Sequence, residues 1–287
     1  MSILRTAALA TAAFGIAVSL ALVASGCSGS GTSADEQPGD YASSHGYRFN
    51  ADPEEMTISD AAHNAILTWQ EEATLGYARD ILRTQCLESG GFPQPKPYNR
   101  GEELNEKLFF DIGPWTEDMA ATYGYQRPAD SAEKEALIAG DDSPAESQRL
   151  VECGRKDPRL EATLHAVDEL QLARDEVSYS DRNQQYLDRA MNDFRSCMTD
   201  EGYSFGGDDD TVIPAEAATS DREAELRVAL DHAACAKKTS LAQTWVAVVS
   251  DQQVDYLEKN ASAISTLRDK HADTLRAADE IVKSFGK

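Results

Sequence analysis

The stretch AMNDFRSCMTDEGYSF, residues 190–205, carries the pattern that decides the fold. Its apolar spacing favours a helix that holds Cys197, and Gly202 follows where this helix should end. Glycine readily takes the left-handed conformation at a helix end, so the chain is expected to turn at Gly202 and Tyr203. The stretch therefore predicts a helix that ends shortly after a cysteine.

A second copy of this pattern lies earlier in the chain, in the stretch TQCLESGGF, residues 84–92. In both stretches the cysteine is followed by Leu or Met, three further residues, a glycine and an aromatic. A second cysteine follows downstream of each, Cys153 or Cys235, and each precedes a small residue, a basic residue and a lysine. We interpret the two stretches as a degenerate duplication.

Helix signals dominate the chain from Met56 onward. They predict an all-α fold, a helical bundle in two related disulfide-bridged halves, residues 56–177 and 178–287, with a long C-terminal helical segment. In the first half we expect a capped start at 57–60 for one helix that runs to Gly90, and short helices over 102–110 and Glu117–Tyr123, the latter capped by Thr116. A capping box of Ser143 with Glu146 and a start at Asp157 should follow. The second half should have a start at Ser180, a capping box of Ser220 with Glu223, a restart at Ser240 and a joint at 260–262.

Two apolar stripes are expected to face the core. The helix after Asp157 places Leu160, Leu164, Val167 and Leu170 on one face. Near the C-terminus seven residues recur at spacings of three and four: Ile264, Leu267, His271, Thr274, Ala278, Ile281 and Phe285. We expect this second stripe to pack back on the same chain rather than on a partner. The strand-like run Trp245 to Val249 is expected to be helical because helical sequence surrounds it.

The N-terminus predicts export and lipidation. Arg5 precedes an apolar run, and residues 23–26 are small and end at Cys27, so residues 1–26 form a lipoprotein signal peptide and Cys27 receives a diacylglyceryl group. Ala24 stands where such signals usually have Leu, which leaves a retained transmembrane anchor as the alternative. Both alternatives place the folded part on the extracytoplasmic face of the cell membrane. Residues 27–55 are rich in Gly, Ser and Asp, and we interpret them as a flexible tether.

The remaining four cysteines predict disulfide bonds, since an exported chain meets an oxidising compartment. Three pairings are possible. The duplication favours Cys86 with Cys153 and Cys197 with Cys235, because a repeated unit closes its own bridge. A metal site built from Cys197, Cys235 and His232 is the alternative, but the short cysteine spacing of metal sites is missing, so no metal is expected.

Composition and motifs favour a protein without catalytic residues or a cofactor. The 50 acidic and 27 basic residues give a net charge of −23, which argues against nucleic acid as a partner. Ser131 with Lys134, and Lys238 before Thr239, approach the motifs of penicillin-recognising enzymes, but the sheet of that fold is not predicted. The acidic run at 208–210 lacks the alternating spacing of a calcium loop, and the five histidines are scattered.

Three further motifs carry a resemblance to a known group of proteins. The segments GPWTEDMAATYGYQRP (113–128), ALDHAACAKKT (229–239) and DYLEKN (255–260), together with the cysteine–glycine–aromatic turn, resemble uncharacterised exported actinobacterial lipoproteins with paired-cysteine helical repeats. The resemblance implies a helical, disulfide-bridged, membrane-anchored protein. It implies no catalytic residue.

The sequence leaves three function classes open. The leading hypothesis is a non-enzymatic interaction or scaffold lipoprotein of the cell envelope, with an envelope protein as partner. The alternatives are a ligand-capturing lipoprotein that serves a transporter or sensor, and a cell-wall-acting enzyme. An apolar pocket with convergent polar groups would support ligand capture, whereas a smooth acidic surface would support the scaffold.

The lipid anchor is testable at Cys27. We expect the mature wild-type protein to begin at Cys27 and to partition into detergent, because two acyl chains suffice for stable anchoring. Cys27→Ser should stop processing and leave an uncleaved precursor or a shed form. Intact-mass measurement of the membrane fraction decides between the alternatives, since a wild-type species that retains residues 1–26 without lipid mass would establish a transmembrane anchor instead.

Overall fold

The computed structural model describes residues 37–54, 56–94, 96–97, 112–125, 143–206 and 212–285, which belong to one compact unit. Most of this part of the chain is helical. Its elements in chain order are α1 (Asp40–Ser44), β1 (Asn50–Asp52), β2 (Thr57–Ser59), α2 (Ala61–Ala65), α3 (Trp69–Ser89), α4 (Glu117–Tyr123), α5 (Pro144–Lys156), α6 (Pro158–Asp175), α7 (Gln184–Asp200), a short 3₁₀ turn (Ala215–Ala217), α8 (Arg222–Lys238) and α9 (Leu241–Phe285). The prediction of an all-α bundle is confirmed.

The duplicated motif produces the same turn twice. Gly91 after α3 and Gly202 after α7 have φ angles of 82° and 96°, in the left-handed region that favours glycine. After α3 the backbone N–H of Phe92 donates to the Leu87 carbonyl at 3.1 Å. After α7 the backbone N–H of Tyr203 donates to the Met198 carbonyl at 3.0 Å. Both helices therefore end in a Schellman motif, which satisfies carbonyls that would otherwise lack a partner.

Each half closes its own disulfide, as the duplication predicts. Cys86 is bonded to Cys153 and Cys197 to Cys235, with Cα atoms 6.0 and 5.8 Å apart. Helices α3, α5 and α6 contact one another, and α7, α8 and α9 do the same. The two cysteine pairs therefore staple two three-helix sets of the same order.

Among the described residues the core consists of two large apolar clusters and a small third one around Ala229, and α9 belongs to both large clusters. The first surrounds the Cys86–Cys153 bridge and the second the Cys197–Cys235 bridge. The start of α9 contributes Leu241 and Val246 to the second cluster, whereas Leu257 and Ile281 pack in the first. The C-terminal part of α9, which the sequence assigns to the second half, therefore packs in the first cluster.

Helix α9 is continuous over 45 residues, about 68 Å. The predicted joint at 260–262 is wrong, because the Asn260 side chain donates to the Tyr256 carbonyl one turn earlier, inside the helix. The C-terminal stripe packs on the same chain, as predicted: Ile264, Leu267, Ala278, Ile281 and Phe285 contact the first cluster. The run that begins at Trp245 is helical, which is also confirmed.

A buried polar segment, Ser250–Asp251–Gln252–Gln253, interrupts the apolar stripe of α9. The Ser250 hydroxyl accepts from the Ala61 N–H at 3.1 Å, and the side-chain amide oxygen of Gln253 accepts from the Ala62 N–H at 2.9 Å. The Gln252 main-chain carbonyl accepts from the backbone N–H of Ser180 at 3.0 Å. This polar segment joins α9 to the N-terminus of α2 and to the loop before α7.

Asp251 makes the strongest of these links. Its Oδ2 accepts from the Gly39 N–H and from the Asn183 amide, both at 2.7 Å, and its Oδ1 accepts from the Ala42 N–H at 2.8 Å. The side chain is fully buried. The carboxylate therefore caps α1, because it binds N–H groups that have no partner within that short helix.

The prediction of a flexible tether is wrong for residues 37–54. This segment contains α1 and β1, and β1 pairs with β2 in an antiparallel hairpin. Ala42 is fully buried, and α1 contacts α9. Composition missed this packing because the partners that satisfy the segment lie about 210 residues away in sequence. Residues 27–36 and Cys27 lie outside the described residues.

Several helix boundaries agree with the sequence and others do not. Thr116, Ser143 with Glu146, and Asp157 cap their helices as predicted. Asn183 and Asp221 replace the predicted caps Ser180 and Ser220, and Thr68 starts α3 after a break that separates it from α2. Leu164 is exposed, unlike Leu160, Val167 and Leu170 on the same helix. The predicted helix over 102–110 lies outside the described residues.

The described residues include no helix with both the length and the apolar character that crossing a bilayer requires.

Asp251 provides a test of the polar segment. Asp251→Asn replaces one carboxylate oxygen by an NH₂ group that meets N–H donors, so at least one buried donor loses its acceptor. We expect the free energy of unfolding to fall by about 3 kcal/mol. Urea unfolding followed by circular dichroism measures the change.

Asp255→Asn is the matched control, one turn further along α9. Asp255 is exposed and accepts from the Tyr41 hydroxyl at 2.9 Å, so the change should cost less than about 0.5 kcal/mol. Equal effects of the two substitutions would contradict the role given to Asp251.

Candidate functional site

An open groove of about 450 Å³ lies where the two halves meet. The groove is surrounded by α2, the start of α3, the last turn of α6, the loop after α6 and the first third of α9. Its lining residues are Asp60, Ala62, His63, Trp69, Arg174, Asp175, Tyr179, Trp245, Val249 and Gln253. The volume lies within the range of small-molecule sites.

Asp60 and His63 form a buried pair on one side of the groove. Asp60 caps α2 by accepting from the His63 N–H at 2.9 Å, and the same oxygen, Oδ1, lies 2.8 Å from His63 Nδ1. Burial alone would raise the pKa of Asp60. The hydrogen bonds that the His63 ring and backbone donate, the attraction of the ring when it is protonated and a hydrogen bond from Gln253 nevertheless lower this pKa below its usual value. Asp60 is therefore a carboxylate that orients the imidazole.

The other nitrogen of His63 is left without a partner. Because a carboxylate can only accept, Nδ1 carries the proton in the Asp60 hydrogen bond, and Nε2 of the neutral ring is an acceptor. Nε2 is buried and has no hydrogen-bond partner among the described residues. A buried polar atom in this state is costly, and it becomes satisfied when a donor reaches it.

The ring of Trp69 forms the adjacent wall. Its centroid lies 4.0 Å from that of His63, and its indole N–H donates to the Ile58 carbonyl at 2.7 Å. The Arg174 guanidinium lies 5.0 Å from the Trp69 ring and is ion-paired with Glu72 at 2.6 Å. These contacts fix the wall before any ligand enters.

Helix α9 supplies the opposite wall from one of its faces. Trp245, Val249 and Gln253 are spaced four residues apart, so they lie one above another. Trp245 is half-buried, and Val249 and Gln253 are buried. At the rim, Asp175 and Tyr179 are exposed. The groove thus combines aromatic and aliphatic surface with a few oriented polar groups.

His232 offers a contrast to His63 because both of its nitrogens are satisfied. The side chain is fully buried, Nε2 lies 2.8 Å from the Ile112 carbonyl, and Nδ1 lies 2.8 Å from the Tyr125 hydroxyl. Since the carbonyl can only accept, Nε2 donates and Nδ1 accepts from Tyr125. Desolvation lowers the pKa of His232 to about 4. We assign this residue to the packing of the second half rather than to a site.

The metal site considered in the sequence is not formed in the described part of the chain. Cys197 and Cys235 are bonded to each other, so with His232 they are not a metal site, and the described residues contain no group of three metal-type ligands. Ser131, Lys134 and the run at 208–210 lie outside the described residues.

Similarity to known proteins adds nothing to this geometry. No protein-family model, curated protein or solved structure matches the chain. The resemblance to exported actinobacterial lipoproteins therefore stays a prediction carried by short motifs.

Sequence reasoning missed the groove, although one local signal was present. Asp60 and His63 are three residues apart at a helix start, which is the spacing at which a capping carboxylate can also reach a side chain. The contributions of Arg174 and Trp245 had no local signal, because packing of α6 against α9 brings them to the groove.

The pKa of His232 yields a pH prediction. The unfolded chain binds a proton near the ordinary value of 6.5, whereas the folded chain binds it only near pH 4. Between these values the unfolded state holds more protons, so the stability from neutral His232 is present above pH 6.5 and is lost as the pH falls toward 4. As the pH falls from 6.5 to 4, we expect the titration of His232 to lower the free energy of unfolding by about 3 kcal/mol.

Urea unfolding at several pH values between 4.5 and 7 measures this effect. His232→Gln keeps a donor and an acceptor but cannot titrate, so its stability should depend less steeply on pH. An NMR titration of wild-type His232 with a midpoint near 6.5 would contradict the prediction even if the variant failed to fold.

Proposed function

We propose that this protein is a ligand-capturing lipoprotein on the extracytoplasmic face of the cell membrane, anchored through Cys27 and serving a transporter or sensor. The observation that carries the proposal is the groove in which an oriented histidine with an unpartnered nitrogen lies beside two tryptophans. A pocket with apolar walls and a few convergent polar groups is the usual form of a small-molecule site.

The geometry favours binding over catalysis. Asp60 accepts from the His63 backbone and ring and from Gln253, so it serves to hold His63 and α2 in place. The walls are held by the Trp69–Ile58 hydrogen bond and by the Arg174–Glu72 ion pair. A groove fixed in this way binds without a large ordering cost, which suits capture and release.

A second candidate function is the interaction module favoured by composition. Leu164 and Leu172, two turns apart on α6, are 43% and 60% exposed, and Val151 on α5 is 56% exposed. Exposed aliphatic side chains on adjacent helices favour contact with an envelope protein. This candidate needs no ligand in the groove.

Binding measured on groove variants tests the proposed function. A panel of amines, sugars, amino acids and carboxylic acids is titrated into full-length protein in detergent, and thermal stabilisation is recorded. We expect compounds that stabilise the wild type to bind Trp245→Ala and His63→Gln at least about tenfold more weakly, a loss of about 1.4 kcal/mol.

Leu172→Ala is the matched control, since Leu172 is an exposed residue of α6 that does not line the groove. Circular dichroism confirms the fold of each variant. If no compound binds, or if the groove variants bind as the wild type does, ligand capture is wrong. Crosslinking of residue 172 to another protein in intact cells would then favour the interaction module.

A further inference from the structure

We infer that the groove selects a small organic cation, a protonated amine with an apolar body, an inference that rests on the ligand-capturing function proposed above. Three features support this class of ligand: the charges around the groove, the aromatic rings that line it and the acceptor nitrogen of His63.

The charged groups of the groove favour a positive ligand. Asp60 and Asp175 supply two carboxylates, and the one guanidinium among the lining residues, Arg174, is already ion-paired with Glu72 at 2.6 Å. The field of a chain with net charge −23 has the same sign. A cation is therefore attracted both at a distance and at the groove, whereas an anion is repelled at both.

The aromatic lining suits a cation as well. A cationic side chain of the protein already lies over an indole ring in the groove, since the Arg174 guanidinium is 5.0 Å from the centroid of Trp69. Trp245 and Tyr179 also line the groove from α9 and from the rim. Aromatic faces attract ammonium groups and cover apolar carbon equally well, so they bind both parts of an amine with an apolar body.

His63 provides the group that an ammonium can donate to. Nε2 of the neutral ring is an acceptor without a partner, and an ammonium N–H would satisfy it. A carboxylate ligand offers only acceptors, so it would leave Nε2 of the neutral ring unsatisfied. Because Nε2 is buried, a donor must part the side chains over it, and the hydrogen bond gained favours that opening.

Three probes with the same ring separate charge from shape. Benzylamine, benzyl alcohol and benzoate carry charges of about +1, 0 and −1 at pH 8 and are titrated into full-length protein, with binding measured by calorimetry. We expect benzylamine to bind at least about tenfold more tightly than benzyl alcohol, with benzoate the weakest. Added salt should weaken only benzylamine binding toward the value for benzyl alcohol.

Asp175→Asn should reduce the preference for benzylamine over benzyl alcohol, because it removes one of the two carboxylates that line the groove. Asp168→Asn is the matched control, because Asp168 is exposed on the same helix but does not line the groove. Equal or tighter groove binding of benzyl alcohol or benzoate would overturn the choice of a cation and leave ligand capture standing. If none of the three probes responds to Trp245→Ala, both the cation and the groove as ligand site are wrong.

Discussion

The buried carboxylate of Asp251 is the constraint on which the other parts of the fold depend. A carboxylate in an apolar core is costly unless donors surround it, and here two backbone N–H groups and one amide do so. These donors come from the segment before β1 and from the loop before α7. Because leaving any of them unpaired would cost free energy, Asp251 fixes both segments against α9.

The groove depends on the same polar segment. Ser250 and Gln253, on either side of Asp251, accept from the first N–H groups of α2 and so place the helix that carries His63. Gln253 also hydrogen-bonds to Asp60, which orients the imidazole. The site is therefore positioned by backbone groups bound to a long helix, and this rigid support suits a preformed binding groove.

The sequence predicted those features whose causes are local. Glycines at the ends of α3 and α7 forced the turns, the Asp157–Pro158 pair started α6, and the copied cysteines predicted the bridges. Its failures have non-local causes. Residues 37–54 look like a tether until Asp251 binds them, and α9 looks jointed at Asn260 until its length is seen to span both clusters. The groove was missed for the same reason.

The duplication explains the scaffold, and its breakdown explains the site. In each half the third helix follows the second cysteine, so α6 and α9 occupy equivalent places, but α6 has 18 residues and α9 has 45. The extra length carries α9 from its own cluster across to the other, and its polar segment lies at the crossing. The buried acceptors of this polar segment, Ser250 and Gln253, bind the first N–H groups of α2. They hold in place the side of the groove that carries Asp60 and His63.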